Sequence, residues 1–133
     1  MNATIPIRKE CPPGACDCGR EALLRDPQGD VRILKLTKDE EKRLVARLEA
    51  LSSLDDLKAM EQRMHAQLGI VLHIAPSPNE VRTVRGIAIK LQEQPGLCRK
   101  TRQAIPAAIR RSLESRPEIA YAILDAHDLF GGL

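Results

Sequence analysis

The chain has 133 residues, 43% of them apolar and 29% charged, which suits one folded domain with a core of ordinary size and excludes a disordered chain. No run approaches the roughly 20 apolar residues of a membrane helix, and residues 1–9 lack the apolar stretch of a secretory signal, so the expected setting is the cytosol. Net charge is only +3, but residues 82–116 carry nine basic side chains against Glu93 and Glu114, an excess that suits an anionic partner.

With no Trp and only Tyr121 and Phe130 as aromatics, the core must be aliphatic. Residues 1–19 read as an irregular loop, because Pro6, Pro12, Pro13, Gly14 and Gly19 block a helix. Residues 20–25 and 31–36 flank the turn-rich stretch Asp26-Pro27-Gln28-Gly29-Asp30, which predicts a β-hairpin. Thr37 followed by Glu40 is a capping box, and Leu44, Leu48 and Leu51 recur at helical spacing, so a helix is expected over 38–51. Ser53 opens a second helix, with Asp55 and Asp56 at its positive end and Gly69 placed to stop it.

Residues 70–75 form a strand-like run that Pro76 and Pro78 break. A second strand is expected over 81–91, with Ile87, Ile89 and Leu91 on one face. Two helices fit the remainder. Pro106 suits the first turn of one, with Ile105, Ile109 and Leu113 on its apolar side, and Pro117 suits the start of the other, with Ile119, Ile123 and Leu124. The expected fold class is therefore α+β: a cysteine-bearing loop over 1–19, then a single small domain over 20–133. It contains two β-hairpin-like strand pairs and about four helices in the order ββααββαα.

The one chemically pointed feature is Cys11-Pro12-Pro13-Gly14-Ala15-Cys16-Asp17-Cys18, a C-x4-C-x-C pattern. In an extended Cys16-Asp17-Cys18 both thiols project to one side, and the Pro-Pro-Gly turn can return Cys11 to them. Four cysteines in a reducing compartment are poor material for a disulfide framework and good material for a soft metal. A fourth ligand is needed. Cys98 is the remaining cysteine, with His73 and His65 as alternatives, while Arg8, Lys9 and Arg20 would offset thiolate charge. Zinc usually takes paired knuckles, of which only half is present, whereas the plant-type iron–sulfur spacing is one residue longer in its second gap. The loop thus favours an iron–sulfur cluster narrowly over zinc. Duller readings are unliganded reduced thiols, a reversible disulfide, and Cys98 as a small packing residue.

The stretch from Gly96 to Arg102 precedes a helix, so Arg99, Lys100 and Arg102, with Arg110 and Arg111 further along, are candidates for binding an anion or nucleic acid. Scarce aromatics argue against base stacking. His65 reads as a surface residue, His73 as a satisfied core histidine, and the carboxylates Asp39, Glu40, Glu41, Asp55 and Asp56 as helix-cap charges. His127 and Asp128, adjacent in sequence, point apart on a helix. No catalytic constellation stands out. The functional expectation is a cytosolic metal-binding accessory or regulatory protein. An anion- or nucleic-acid-binding module, docking nucleic acid or an acidic protein surface, is the alternative, and a thiol redox protein ranks last.

Overall fold

A computed structural model of the chain describes residues 19–76 and 86–126. Cys11, Cys16, Cys18, Arg82, Arg85, His127, Asp128 and the expected strand residues 81–85 lie outside the described residues.

The mixed α+β class is correct, but the first expected hairpin is not a hairpin. Its two arms are a short helix α1 (Arg20–Arg25) and a 3-10 turn (Arg32–Lys35). The physical reason is local. Glu21, Ala22, Leu23, Leu24 and Arg25 are strong helix formers with no β-branched residue among them. Gly19 enters α1 at φ 75°, a left-handed angle that suits glycine. In the second arm the adjacent residues Ile33 and Leu34 are both fully buried, which a strand alternating between two faces does not allow.

Helix α2 (Lys38–Leu48) starts as expected. Thr37 accepts from the Glu40 backbone N–H, and Glu40 reaches back to Thr37 N–H. It stops three residues short of the expected end. Helix α3 (Leu54–Leu68) is capped by Ser53 Oγ, which accepts from Asp56 N–H at 3.1 Å, and ends at Gly69 with φ 75°. A Cβ on Gly69 would lie 2.6 Å from Asp30 Oδ2, so both conformation and space demand glycine there.

Strands β1 (Leu72–Pro76) and β2 (Ile87–Leu91) pair antiparallel, with Leu72 opposite Leu91 and Ile74 opposite Ile89. His73 faces Lys90 across the ladder, and both are exposed, so His73 is not the core histidine its apolar neighbours suggested. The period-two alternation turns residue 73 away from the side on which Ile74 and Ile89 meet the core.

Helix α4 (Arg99–Ser115) begins seven residues before the expected start, so Pro106 sits in its interior and not in its first turn. Proline there removes one helical N–H and costs about 3 kcal/mol. Thr101, Ile105, Ala108, Ile109, Ser112 and Leu113 form one continuous buried side of α4, and each large apolar member stabilises by roughly 1.5–3 kcal/mol. Burial of that side outweighs the proline. Helix α5 (Pro117–Ala126) starts at its proline as expected and buries Ile119, Ile123 and Leu124.

Helices α4 and α5 pack on β2 and β1 respectively, α3 meets α5 and the 3-10 turn, and α2 lies along α4. Ser112 joins the last two. Its hydroxyl donates to Leu48 O at 2.5 Å and accepts from Leu51 N–H at 3.2 Å, both buried bonds. That hydroxyl takes up orphan backbone groups where α2 ends, which is why residue 51 leaves the helix although Leu51 stays in the core. Glu49 pairs with Arg111 one step away. At the other end of the contact the first turns of α2 and α4 line one slot, through Lys38, Glu41, Lys100 and Thr101, so the two helices run side by side in the same direction.

Candidate functional site

Cys98 is the one sequence-predicted metal ligand among the described residues. It is the N-cap of α4, with extended backbone (φ −64°, ψ 147°), and is only 5% exposed. Its carbonyl accepts from Arg102 N–H at 2.9 Å, and its side chain makes no cap hydrogen bond. The thiol-bearing residue is therefore held at the positive end of the dipole of a 17-residue helix.

What positions Cys98 is the turn before it. Gly96 has φ 94°, and a Cβ there would stand 2.7 Å from Ile33 Cγ2 and 2.9 Å from Leu23 Cδ2. The turn at 95–96 is thus pressed against α1 and the 3-10 turn. Helix α1 begins two residues after Cys18. The structure brings the Cys98 turn onto the helix that directly continues the cysteine-bearing segment.

The charges around α4 are unusual for a helix start. The first turns of α2 and α3 carry Asp39, Glu40 and Glu41, and Asp55 and Asp56, as the helix dipole favours. The first turn of α4 carries no acidic residue. It holds Arg99 and Lys100, both exposed, and Arg102, half-buried, each opposed to the dipole. Of the other two expected anion-binding residues, Arg110 donates to Ile87 O at 2.6 Å, and Arg111 pairs with Glu49. These two tie α4 to β2 and to α2.

The histidine alternatives stand apart from any cluster. His65 is exposed in the last turn of α3, as expected, and exposed His73 shares a 3.3 Å Nε2···Oε1 hydrogen bond with Gln92. Among the described residues no group of three His, Cys, Asp or Glu side chains could hold a metal ion. A metal site containing Cys98 is therefore not completed by the described residues alone.

No protein-family model, no curated protein and no solved structure matches this chain. Function rests on the chain's own chemistry. No helix among the described residues is long and apolar enough to cross a membrane.

The shifted acids lie elsewhere. Arg47 donates to Asp56 at 2.5 and 3.0 Å and Ser52 N–H donates at 2.9 Å, which together hold the Asp56 carboxyl down at about 2. The Arg32 guanidinium lowers Asp30 in the same way and also donates to the His65 and Ala66 carbonyls, closing the C-terminal end of α3. Burial raises Glu61, partly offset by Lys58, in a hollow shared with Leu57, Ile74 and Ile123.

Sequence reasoning missed a slot between α2 and the first turns of α4. Its floor is Val45, Ala46 and Ala104, its rim is Lys38, Lys42 and Lys100, and its volume is about 440 Å³. The one signal available was the spacing 38, 42, 45, 46 and 49, a stripe along α2 beside the Leu44–Leu48 core stripe.

Proposed function

We propose that this chain is a small cytosolic metal-binding protein with an accessory or regulatory role. Cys11, Cys16 and Cys18 would hold an iron–sulfur cluster, or zinc as the second choice, with Cys98 as the fourth ligand. The observation that carries the reading is the position of Cys98. It is poised at the positive end of α4, in a turn seated on α1, the helix that begins two residues after Cys18.

The donor set fits such a group. Thiolates need positive surroundings, and the α4 N-terminus supplies them, with Arg99, Lys100 and Arg102 near it and no carboxylate in its first turn. The same cations, which oppose the helix dipole in isolation, become favourable beside an anionic thiolate site. Burial of Cys98 keeps water and oxidants from the ligand, which favours a cluster over an exchangeable surface ion.

An anion- or nucleic-acid-binding module over 82–116 is the weaker reading. Arg110 donates to Ile87 O and Arg111 pairs with Glu49, so these two cations of the expected set brace the fold. Nucleic-acid binding that falls steeply with salt would favour it.

The test is the visible absorption spectrum and elemental analysis of anaerobically purified protein, as wild type, Cys16→Ser and Cys98→Ala. The expected result is iron with sulfide, or zinc, in the wild type. It should be lost in Cys16→Ser and steeply reduced in Cys98→Ala, with a shifted spectrum where an oxygen or nitrogen ligand replaces sulfur. A colourless, metal-free wild type refutes the reading. Full occupancy in Cys98→Ala removes Cys98 from the site.

A further inference from the structure

We infer that the slot between α2 and α4 is a docking groove for an acidic, amphipathic helix of a partner protein. This inference needs no bound metal, although it shares Lys100 with the cations placed beside Cys98. The slot has an apolar floor of Val45, Ala46 and Ala104, in which the two alanines let a partner backbone approach closely. Ala46 is exposed and Val45 and Ala104 are half-exposed, so the apolar floor is open to a ligand from solution.

The charges on the slot say what kind of ligand it takes. Its two carboxylates are already used. Glu49 pairs with Arg111, and Glu41, buried, has Lys38 Nζ at 3.9 Å from its Oε2. The two remaining cations line the slot from different helices, Lys42 from α2 and Lys100 from α4, and both are exposed. Neither has an ion-pair partner among the described residues. An apolar floor between two such lysines is complementary to an apolar stripe flanked by carboxylates.

The dimensions favour a helix over a small molecule. From Lys38 to Glu49 the α2 wall is 11 residue steps, ~16 Å at helical rise, about three turns of a docked helix. Small-molecule sites enclose most of their ligand, which an open slot does not. Glu49, paired with Arg111, stands at one end of the α2 wall, and Lys38 and Lys42 stand toward the other. A docked helix is therefore expected to place its acidic residues toward the α2 and α4 N-termini, whose dipoles add to the lysine field.

The probe is an acetylated, fluorescein-labelled peptide of about 12 residues, with leucines at i, i+3, i+4 and i+7 and glutamates on both flanks. It is titrated by fluorescence anisotropy against the full chain. Binding is expected in the range of roughly 10–100 µM, weakened about tenfold by Lys42→Glu together with Lys100→Glu, and lost in Ala46→Arg. Replacing the peptide glutamates with glutamine should weaken binding to a similar degree. The altered positions are exposed, and circular dichroism checks that each variant is folded. Lys42→Gln with Lys100→Gln serves as a milder pair if the reversal perturbs the fold. No binding at about 1 mM peptide, or binding that ignores both the charge reversal and Ala46→Arg, overturns the inference. So does tighter binding of labelled decanoate or of a labelled single-stranded oligonucleotide, which would assign the slot to a lipid or to nucleic acid.

Discussion

Replacing Ser112 by alanine removes one oxygen atom, and the structure assigns that atom two jobs. It donates to Leu48 O and accepts from Leu51 N–H, and Ser112 is only 1% exposed. The alanine variant leaves a carbonyl and an amide facing a void of atomic size beside fully buried Leu48 and Leu51. Each stranded buried group costs about 1–3 kcal/mol, so the two together should cost Ser112→Ala ~2–6 kcal/mol of the ~5–15 kcal/mol typical of a domain. With a urea slope of ~1–3 kcal/mol per molar, the midpoint should fall by about 1–2 M, read by circular dichroism. Ser115→Ala, exposed at the end of the same helix, is the control and should change stability by less than about 0.5 kcal/mol. Amide exchange adds a local reading. The Leu51 N–H should exchange much faster in Ser112→Ala than global destabilisation alone explains. A loss under about 0.5 kcal/mol, or an unaltered Leu51 exchange rate, would mean that the hydroxyl is not the joint between α2 and α4.

Gly96→Ala combines a left-handed φ of 94° with a Cβ 2.7 Å from Ile33 Cγ2, and should cost about 2–4 kcal/mol in a urea melt, while Gly19→Ala, with nothing within 4 Å of its Cβ, should cost only the conformational part. Asp56 has a lowered carboxyl at about 2, so its stabilisation is complete above the ordinary aspartate range and is lost as pH falls through about 2. Solvent screening at Arg47 cuts the linkage value to about 1 kcal/mol, so the difference in stability between wild type and Asp56→Asn should shrink by that amount between pH 6 and pH 2. Glu61 is raised by burial, so the preference for its neutral form helps folding below the ordinary glutamate range and is lost as pH rises through the raised value. Glu61→Gln should therefore stabilise the protein at neutral pH and not at pH 4, measured by thermal melts at both.

Much of the framework is local and so was legible. Thr37 with Glu40, Ser53 with Asp56, Gly69 and Pro117 mark helix ends through bonds within a few residues. The errors arise where distant residues decide. Pro27 and Gly29 announce a turn without saying what enters it, and the helix propensity of 21–25 settled the matter. Pro106 belongs to the interior of α4 because the buried side from Thr101 to Leu113 overrides it. The end of α2 depends on a serine more than sixty positions away. For the candidate site, residue types were readable and neighbours were not. That Cys98 caps a helix, that its turn rests on α1, and that Arg110 and Arg111 brace other elements are tertiary facts.

The contact at Gly96 also has a mechanical side. Ordinary neighbours in a protein interior leave a few tenths of an ångström in which a loop can breathe. Here the room a single carbon would need at residue 96 is already taken by Leu23, Ile33 and Leu34. Leu97, next in line, has no exposed surface at all. A joint with so little slack behaves as a stiff linkage. The turn before Cys98 thus rests directly on α1 and the 3-10 turn. From the 3-10 turn the Arg32 side chain in turn holds the carbonyls at the end of α3. Segments at sequence positions 20–36, 65–66 and 96–98 thereby meet in one continuous patch of contacts.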